Sequence, residues 1–145
     1  MVDMNYMAMF TWSSEYSVGN DLIDREHQKL FELADRLHQA MLSGGAHTVL
    51  RGLFDELAEY THTHFAHEEA LMRRYSYPQL PAHAEIHRQL VARVASLQED
   101  LRAGKLTVTM NTMQFLRDWL SHHIGKTDRL VAAHVRACEL QPASR

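Results

Sequence analysis

Two pairs of metal-binding side chains are spaced so that each pair would share one face of a helix. His64 and Glu68 are four residues apart, as are His83 and His87, which places the members of each pair about 40° apart around a helix. Imidazole is the commonest metal ligand among side chains, and carboxylate oxygens serve many of the same ions. The spacing indicates a metal site, although a lone histidine on such a face also fits an ordinary packed core.

Four segments of helical length lie between the glycines and prolines of the chain. Each segment carries an apolar stripe at helical spacing, and short turns join one segment to the next. This pattern predicts an all-α fold, an antiparallel up-down-up-down four-helix bundle. The predicted helices are Asp21–Leu42, Thr48–Arg74, Pro81–Ala103 and Thr109–Leu140.

The chain is interpreted as a single domain, 1–145, because no linker or internal repeat divides it. Residues 1–19 are predicted to form an N-terminal extended arm, with Trp12 and Tyr16 packed against a bundle that spans 20–140. Ile86 and Leu130 are assigned to the apolar stripes of the third and fourth helices.

The candidate ligands occupy the same stripes as the core residues. A buried carboxylate is costly unless it is paired or bound to a metal, so polar side chains from all four helices are hard to explain without one. The set comprises His27, His64, Glu68, His83, His87 and His123. The other six histidines are interpreted as non-ligands. His47 is placed in the turn before the second helix, His62, His67 and His122 lie off the centre of the apolar faces, and His38 and His134 lie eleven residues from a candidate ligand.

The donor set favours iron over a structural zinc. A lone zinc takes four ligands, often including cysteine, whereas this set lacks sulfur and has too many members for one ion. Nitrogen with carboxylate oxygen suits iron, and two ions suit the number of ligands. The Glu-x-x-His pattern of ferritin-like centres occurs here only at Glu59 and His62, on the outer face.

Composition excludes several other classes of partner. The net charge of −3 gives no reason to expect nucleic acid or an anionic membrane. No apolar run reaches the ~20 residues of a membrane span, and the start of the chain does not have the pattern of a secretory signal. The single cysteine, Cys138, suits a reducing compartment, so a cytoplasmic location is expected.

These motifs together resemble the bacterial single-domain members of the hemerythrin family. The resemblance runs from Trp12 to about Asp128 and rests on five blocks in the same order and at matching separations. The blocks are Tyr16-Ser17-Val18-Gly19, then Ile23-Asp24 leading to His27, then His64-Phe65 with Glu68-Glu69 and Met72, then Tyr77-Pro78 with His83 and His87, and last Trp119-Leu120 with His123-Ile124 and Asp128.

The resemblance implies reversible O₂ binding, as a carrier or store, at a non-haem di-iron centre. One iron would be bound by three histidines and the other by two, which leaves the second iron one coordination position short. Two carboxylates and an oxo or hydroxo group would bridge the irons. The implied ligands are His83, His87 and His123 for the first iron, His27 and His64 for the second, and Glu68 and Asp128 as bridges.

The resemblance also implies an apolar O₂ pocket. Leu120 would roof the pocket, with Trp119, Phe65 and Ile124 as neighbours. Such a pocket excludes water from the bound ligand. The five-histidine ligand set favours reversible binding, and the sequence shows no substrate cleft or spare acid-base pair, so the protein is not expected to be an enzyme. The protein is expected to be a monomer whose ligand is O₂, and the partner that would receive the gas is unknown.

Asp128 is the one implied ligand that regular helical spacing does not support. It follows His123 by five residues, which places it about 140° away on a regular helix. We therefore predict a π-bulge or loosened turn between them, with Gly125 permitting it. A further departure is Val131, where many relatives carry tyrosine.

Other functions stay open at this point, because the fold and its ligands do not fix a function. An O₂ or redox sensor is the second hypothesis, although sensors of this kind are usually fused to a signalling module. A di-iron oxidase or a nitric oxide scavenger is the third. Iron storage would require an inner surface rich in carboxylates, which the stripes lack.

Overall fold

The computed structural model describes residues 10–105 and 108–141, and all regular structure within them is helical. A short 3₁₀ turn, Ser14–Tyr16, precedes the first long helix. A π-helical segment, His123–Thr127, joins the last two α-helices into one continuous rod, so the architecture is a four-helix bundle as predicted. The α-helices are α1 (Asp21–Leu42), α2 (His47–Arg74), α3 (Leu80–Arg102), α4 (Met110–His122) and α5 (Asp128–Leu140).

The helix ends follow the capping residues of the sequence. The Asn20 side chain accepts a hydrogen bond from the Ile23 amide and starts α1 at the predicted residue. Thr109 caps α4 in a capping box with Thr112, so that helix begins one residue later than predicted. His47 was placed in the turn before the second helix but is the first residue of α2, where its Nε2 lies 2.8 Å from the Leu101 carbonyl oxygen.

Helix α1 packs against α2 and α4, and α2 packs against α3. Arg36 pairs with Glu56, while Glu26, earlier on α1, pairs with His64, later on α2. The later α1 residue thus pairs with the earlier α2 residue, and the earlier with the later, so the two helices are antiparallel neighbours. No helix in the described part of the chain is both long and apolar enough to span a membrane.

The π-helical segment His123–Thr127 confirms the predicted loosened turn. The Asp128 amide donates to the carbonyl oxygen of His123, five residues earlier, instead of to the residue four earlier. The proposed role of Gly125 is wrong, however. Its φ is not positive and a Cβ there would have no neighbour within 4 Å, so glycine is not required for this turn.

The buried apolar side chains form two separate clusters along the bundle. The larger cluster includes Phe65 and Ile124, and the smaller one consists of Met72, Val131 and Val135. Along α2 and along the fourth rod, the candidate ligands come between members of the two clusters. The bundle therefore has a polar layer between two apolar ones.

Two residues assigned to the apolar stripes are exposed instead. Ile86 retains 39% of its accessible surface, and Leu130 retains 63%. Helix α3 packs mainly against one neighbour, so its buried stripe is narrow and excludes Ile86. Beyond the π-helical segment, Val131 and Val135 face the core and leave Leu130 in solvent.

The described part of the N-terminal arm is anchored as expected. Tyr16 packs on Phe31 with ring centroids 4.9 Å apart, and Trp12 packs against the larger cluster. Phe10, which the sequence analysis did not single out, is buried in the same cluster. Residues 1–9 of the predicted arm lie outside the described residues.

Candidate metal centre

All seven residues implied as ligands are buried and lie together. Their potential donor atoms form two groups, and within each group the atoms lie within 4.8 Å of one another. The three-histidine group consists of His83, His87, His123, Glu68 and Asp128, and the two-histidine group consists of His27, His64, Glu68 and Asp128. Both carboxylates belong to both groups.

Glu68 presents one oxygen to each group. Its Oε1 lies 2.6 Å from Nε2 of His83 and 3.2 Å from Nε2 of His87. Its Oε2 lies 3.2 Å from Nε2 of His64, on the opposite side of the carboxylate. Glu68 is therefore oriented as a bridge between the two groups.

Asp128 has the same relation to the two groups. Its Oδ1 lies 3.2 Å from Nε2 of His123 and 3.3 Å from Nε2 of His83. Its Oδ2 lies 2.9 Å from Nε2 of His27. The π-helical turn brings this carboxylate to the face of the rod that carries His123.

The geometry of these atoms fits a pair of metal ions. Two ligands bonded to one ion at about 2.1 Å and at right angles lie about 3 Å apart, close to the separations here. Several of these potential metal-binding atoms are buried and make no hydrogen bond within the described residues, although another potential metal-binding atom lies close to each. These atoms are Nε2 of His27, Nε2 of His64, Oε2 of Glu68 and both carboxylate oxygens of Asp128. Imidazole nitrogen with carboxylate oxygen is a donor set that iron accepts.

The buried carboxylates are held in their anionic form. Burial raises the pKa of Glu68, but the nearby imidazoles of His123 and His64, together with a hydrogen bond from His83, hold that pKa well below its usual 4.5. Burial also raises the pKa of Asp128, but the neighbouring imidazoles leave it lowered. Two anionic side chains thus lie between the places where two cations would bind.

The pKa values of two histidines in these groups shift in the opposite direction, upward. Burial lowers the pKa of His123, but the charge of Asp128 and the close approach of both carboxylates raise it to about 10. Burial lowers the pKa of His64 as well, while its hydrogen bond to Glu26 and the nearby carboxylate of Glu68 raise it to about 9. The electrostatic field around these rings therefore favours positive charge, whether from protons or from metal ions.

Two further carboxylates orient ligand histidines from outside the two groups, and the sequence analysis missed both. Glu26 lies 3.0 Å from Nδ1 of His64 and 2.6 Å from Nδ1 of His67. Glu69 lies 3.0 Å from Nδ1 of His87. Each is next to a candidate ligand in the sequence, and this adjacency could have indicated it. Adjacent residues lie on different faces of a helix, however, so helical spacing argued against a role in the same site.

Aromatic side chains cover the three-histidine group on one side. Phe65 stacks on His87 with ring centroids 3.8 Å apart and planes 5° apart. Trp119 meets Phe65 edge-on, and its ring centroid lies 6.3 Å from that of His123. Leu120 and Ile124, the other residues assigned to a ligand pocket, are buried in the same apolar cluster.

Within the described chain, none of the histidines interpreted as non-ligands belongs to either group. His62, His67 and His122 are exposed. His38 is buried, but it packs near Phe10, with ring centroids 6.0 Å apart. His134 lies with Nε2 2.8 Å from the carbonyl oxygen of Tyr75.

Comparison with known proteins gives a consistent family assignment. The sequence profile of the hemerythrin HHE cation binding domain matches residues 18–135. A bacteriohemerythrin of Methylococcus capsulatus is 34% identical over 125 residues, which cover 86% of this chain and 95% of that protein. A myohemerythrin of Riftia pachyptila is 29% identical over 119 residues, 82% of this chain and 88% of that protein. A crystal structure of wild-type hemerythrin, 32% identical, superposes with a TM-score of 0.82 over 86% of this chain and 96% of its own.

Proposed function

The chain belongs to the hemerythrin family, and from this premise we propose that it binds O₂ reversibly, as a carrier or store, at a non-haem di-iron centre. One observation supports this most directly. Glu68 and Asp128 each direct one carboxylate oxygen to the three-histidine group and the other to the two-histidine group. That arrangement suits two ions that share two bridging ligands.

The proposed ligands follow from the two groups of donor atoms. His83, His87 and His123 would bind one iron, and His27 and His64 would bind the other. Glu68 and Asp128 would bridge the irons together with a solvent-derived oxo or hydroxo group. The three-histidine group then offers one more protein ligand than the two-histidine group, so the open position for O₂ is proposed on the two-histidine side. When bound, the two irons would supply the electrons that O₂ takes up on binding and would recover them when O₂ is released.

The side chains of the chain itself would protect this chemistry from water. Phe65, Trp119, Leu120 and Ile124 form part of a continuous apolar cluster next to the ligands. An apolar wall keeps solvent from competing with a bound gas molecule and from promoting irreversible oxidation. Glu68 and Asp128, held anionic, would offset the charge of the ions without any change of position.

The remaining features of the proposal concern the protein as a whole. We propose a single domain, 1–145, that works as a monomer and has no catalytic turnover. A cytoplasmic location is proposed from its single cysteine, Cys138. A sensor, a di-iron oxidase and a nitric oxide scavenger are the competing functions. The measurement described next separates redox sensing and catalysis from reversible O₂ binding.

The test is iron content per chain together with the visible absorption spectrum. Spectra are recorded on the protein as purified, after anaerobic reduction, and after O₂ is readmitted. The proposal expects two irons per chain and an absorption band that develops with O₂ and fades when O₂ is removed. Two irons that pass directly to a stable oxidised form would instead favour redox sensing or catalysis. A folded chain that binds no iron would contradict the ligand assignment.

A further inference from the structure

One carboxylate joins a buried ligand histidine to a histidine on the surface. Glu26 is buried on α1, with 10% of its side chain exposed, and it lies between two imidazoles of α2. His64, in the two-histidine group, is 1% exposed, whereas His67 is 52% exposed. The three side chains form a hydrogen-bonded chain from solvent to the metal centre.

The direction of the hydrogen bonds fixes the chemistry of His64. An ionised carboxylate only accepts hydrogen bonds, so both imidazoles donate from Nδ1. His64 donates over 3.0 Å to Oε1, and His67 donates over 2.6 Å to Oε2. With a proton kept on Nδ1, His64 has Nε2, which faces Oε2 of Glu68, as the nitrogen that a metal ion can bind in place of a proton.

In each half of the centre, a different carboxylate outside the ligand set contacts Nδ1 of a ligand histidine. Glu69 orients His87 in the three-histidine half, and Glu26 orients His64 in the two-histidine half. The Nδ1 of His27 has no hydrogen-bond partner among residues 10–105 and 108–141. Within that part of the chain, Glu26 is thus the carboxylate that supports the two-histidine half from outside the ligand set.

We propose that Glu26, held at its second oxygen by His67, is the positioning residue that sets how tightly the two-histidine half of the centre binds its metal ion. This inference rests on the proposed function, because it requires two ions in two distinguishable halves. His67 matters because a carboxylate fixed at both oxygens cannot rotate away from His64. A surface residue outside the proposed ligand set therefore influences the half of the centre where O₂ is proposed to bind.

The variants isolate each link of the hydrogen-bonded chain. Glu26→Ala removes both hydrogen bonds, and Glu26→Gln keeps one side-chain oxygen that can still accept from one imidazole. His67→Ala leaves the buried residues intact and releases only the second oxygen. His62→Ala is the matched control, because His62 is another exposed histidine of α2 and lies outside this chain of contacts. His64→Ala serves as the reference for a damaged two-histidine half.

The experiment is an anaerobic titration of the metal-free full chain with Co²⁺, followed by visible absorption in the presence of a competing chelator. Urea unfolding of each metal-free variant checks that the bundle is intact. Glu26→Ala should weaken one of two sites by about 10- to 100-fold, the usual loss when such a partner of a ligand histidine is removed. The lost spectral component should be the one missing in His64→Ala. Glu26→Gln should recover part of the affinity, His67→Ala should show a smaller loss at the same site, and His62→Ala should match the wild type.

The outcomes separate this inference from the function on which it rests. A wild-type chain that binds a single Co²⁺ would contradict the di-metal proposal itself. A wild-type chain that binds two ions, with unchanged affinity at both sites in Glu26→Ala and His67→Ala, would overturn the positioning role alone. Equal weakening of both sites in Glu26→Ala would also overturn it, because the proposed effect is confined to one half.

Discussion

The Nε2 of His27 on α1 lies 2.9 Å from Oδ2 of Asp128, the first residue of α5. On a regular helix Asp128 would point about 140° away from His123 and could not reach the ligand layer. The π-helical turn changes that angle, so a local departure in backbone hydrogen bonding completes both donor groups. The candidate metal centre thus depends on the π-helical turn as much as on the side chains of its candidate ligands.

Replacement of Asp128, the proposed bridging carboxylate, should weaken metal binding in both halves of the centre. Asp128→Asn keeps the size of the side chain but loses the negative charge and one of the two metal-binding oxygens. We expect fewer than two irons per chain, measured by elemental analysis. Asp118→Asn is the control, since Asp118 is exposed on α4, and it should retain the wild-type iron content. Full iron content in Asp128→Asn would show that this carboxylate does not bridge.

Alanine at position 125 should be tolerated, because the π-helical turn does not need glycine. Gly125 has no positive φ, and an added Cβ would meet open space. Glycine costs about 0.5 to 1 kcal/mol relative to alanine inside a helix, so Gly125→Ala should raise the free energy of unfolding by about that amount. Urea unfolding and iron content measure the result. Loss of iron or of stability would indicate that the turn requires glycine.

Truncation of Leu120 should harm both stability and the reversibility of O₂ binding. Leu120 is 1% exposed within the larger apolar cluster, so Leu120→Ala leaves a cavity and should cost about 2 to 5 kcal/mol in urea unfolding. The same cavity admits water near the proposed pocket, so the O₂-dependent absorption band should decay irreversibly sooner than in the wild type. Leu130→Ala is the matched control, because Leu130 is 63% exposed, and its unfolding free energy should change by less than about 0.5 kcal/mol. A normal decay rate in Leu120→Ala would exclude Leu120 from the pocket wall.

Asp24 should contribute to stability because its side chain accepts hydrogen bonds from the N-terminal arm and thereby holds the arm against α1. Its Oδ2 accepts from the Ser17 hydroxyl over 2.6 Å, and its Oδ1 accepts from the Val18 amide over 2.8 Å. Asp24→Ala should lower the free energy of unfolding by about 1 to 3 kcal/mol, because two donors lose their partner. Asp21→Ala, in the same first turn of α1, controls for the loss of an acidic residue at the helix start. Equal effects of the two substitutions would assign the loss to the helix end and not to the arm.

Much of the bundle could be predicted because its determinants are local. Asn20 and Thr109 specify helix starts through their own side chains, and the apolar stripes specify which faces pack. The π-helical turn was different. No spacing rule indicated it, and the prediction depended on the family position of Asp128, which regular helical geometry contradicted.

The unpredicted features arise from how the helices pack against one another. Glu26 is next to His27 in the chain and would fall on another face of α1, so its contact with His64 exists only because α2 lies against that face. Ile86 belongs to an apolar pattern on α3, yet the neighbouring helices do not cover it. Leu130 fits the apolar stripe of a regular helix, but beyond the π-helical turn Val131 and Val135 face the core and Leu130 faces solvent.

The polar layer lies between two apolar clusters, and this arrangement bears on the order of assembly. Hydrophobic contacts on both sides of the ligands can align the four rods before any ion arrives. We therefore expect the chain to fold first and to take up metal into a preformed set of ligands, in contrast to small zinc domains in which the ion nucleates the fold. A chain that folded without metal would then be ready to bind it as soon as the ion became available.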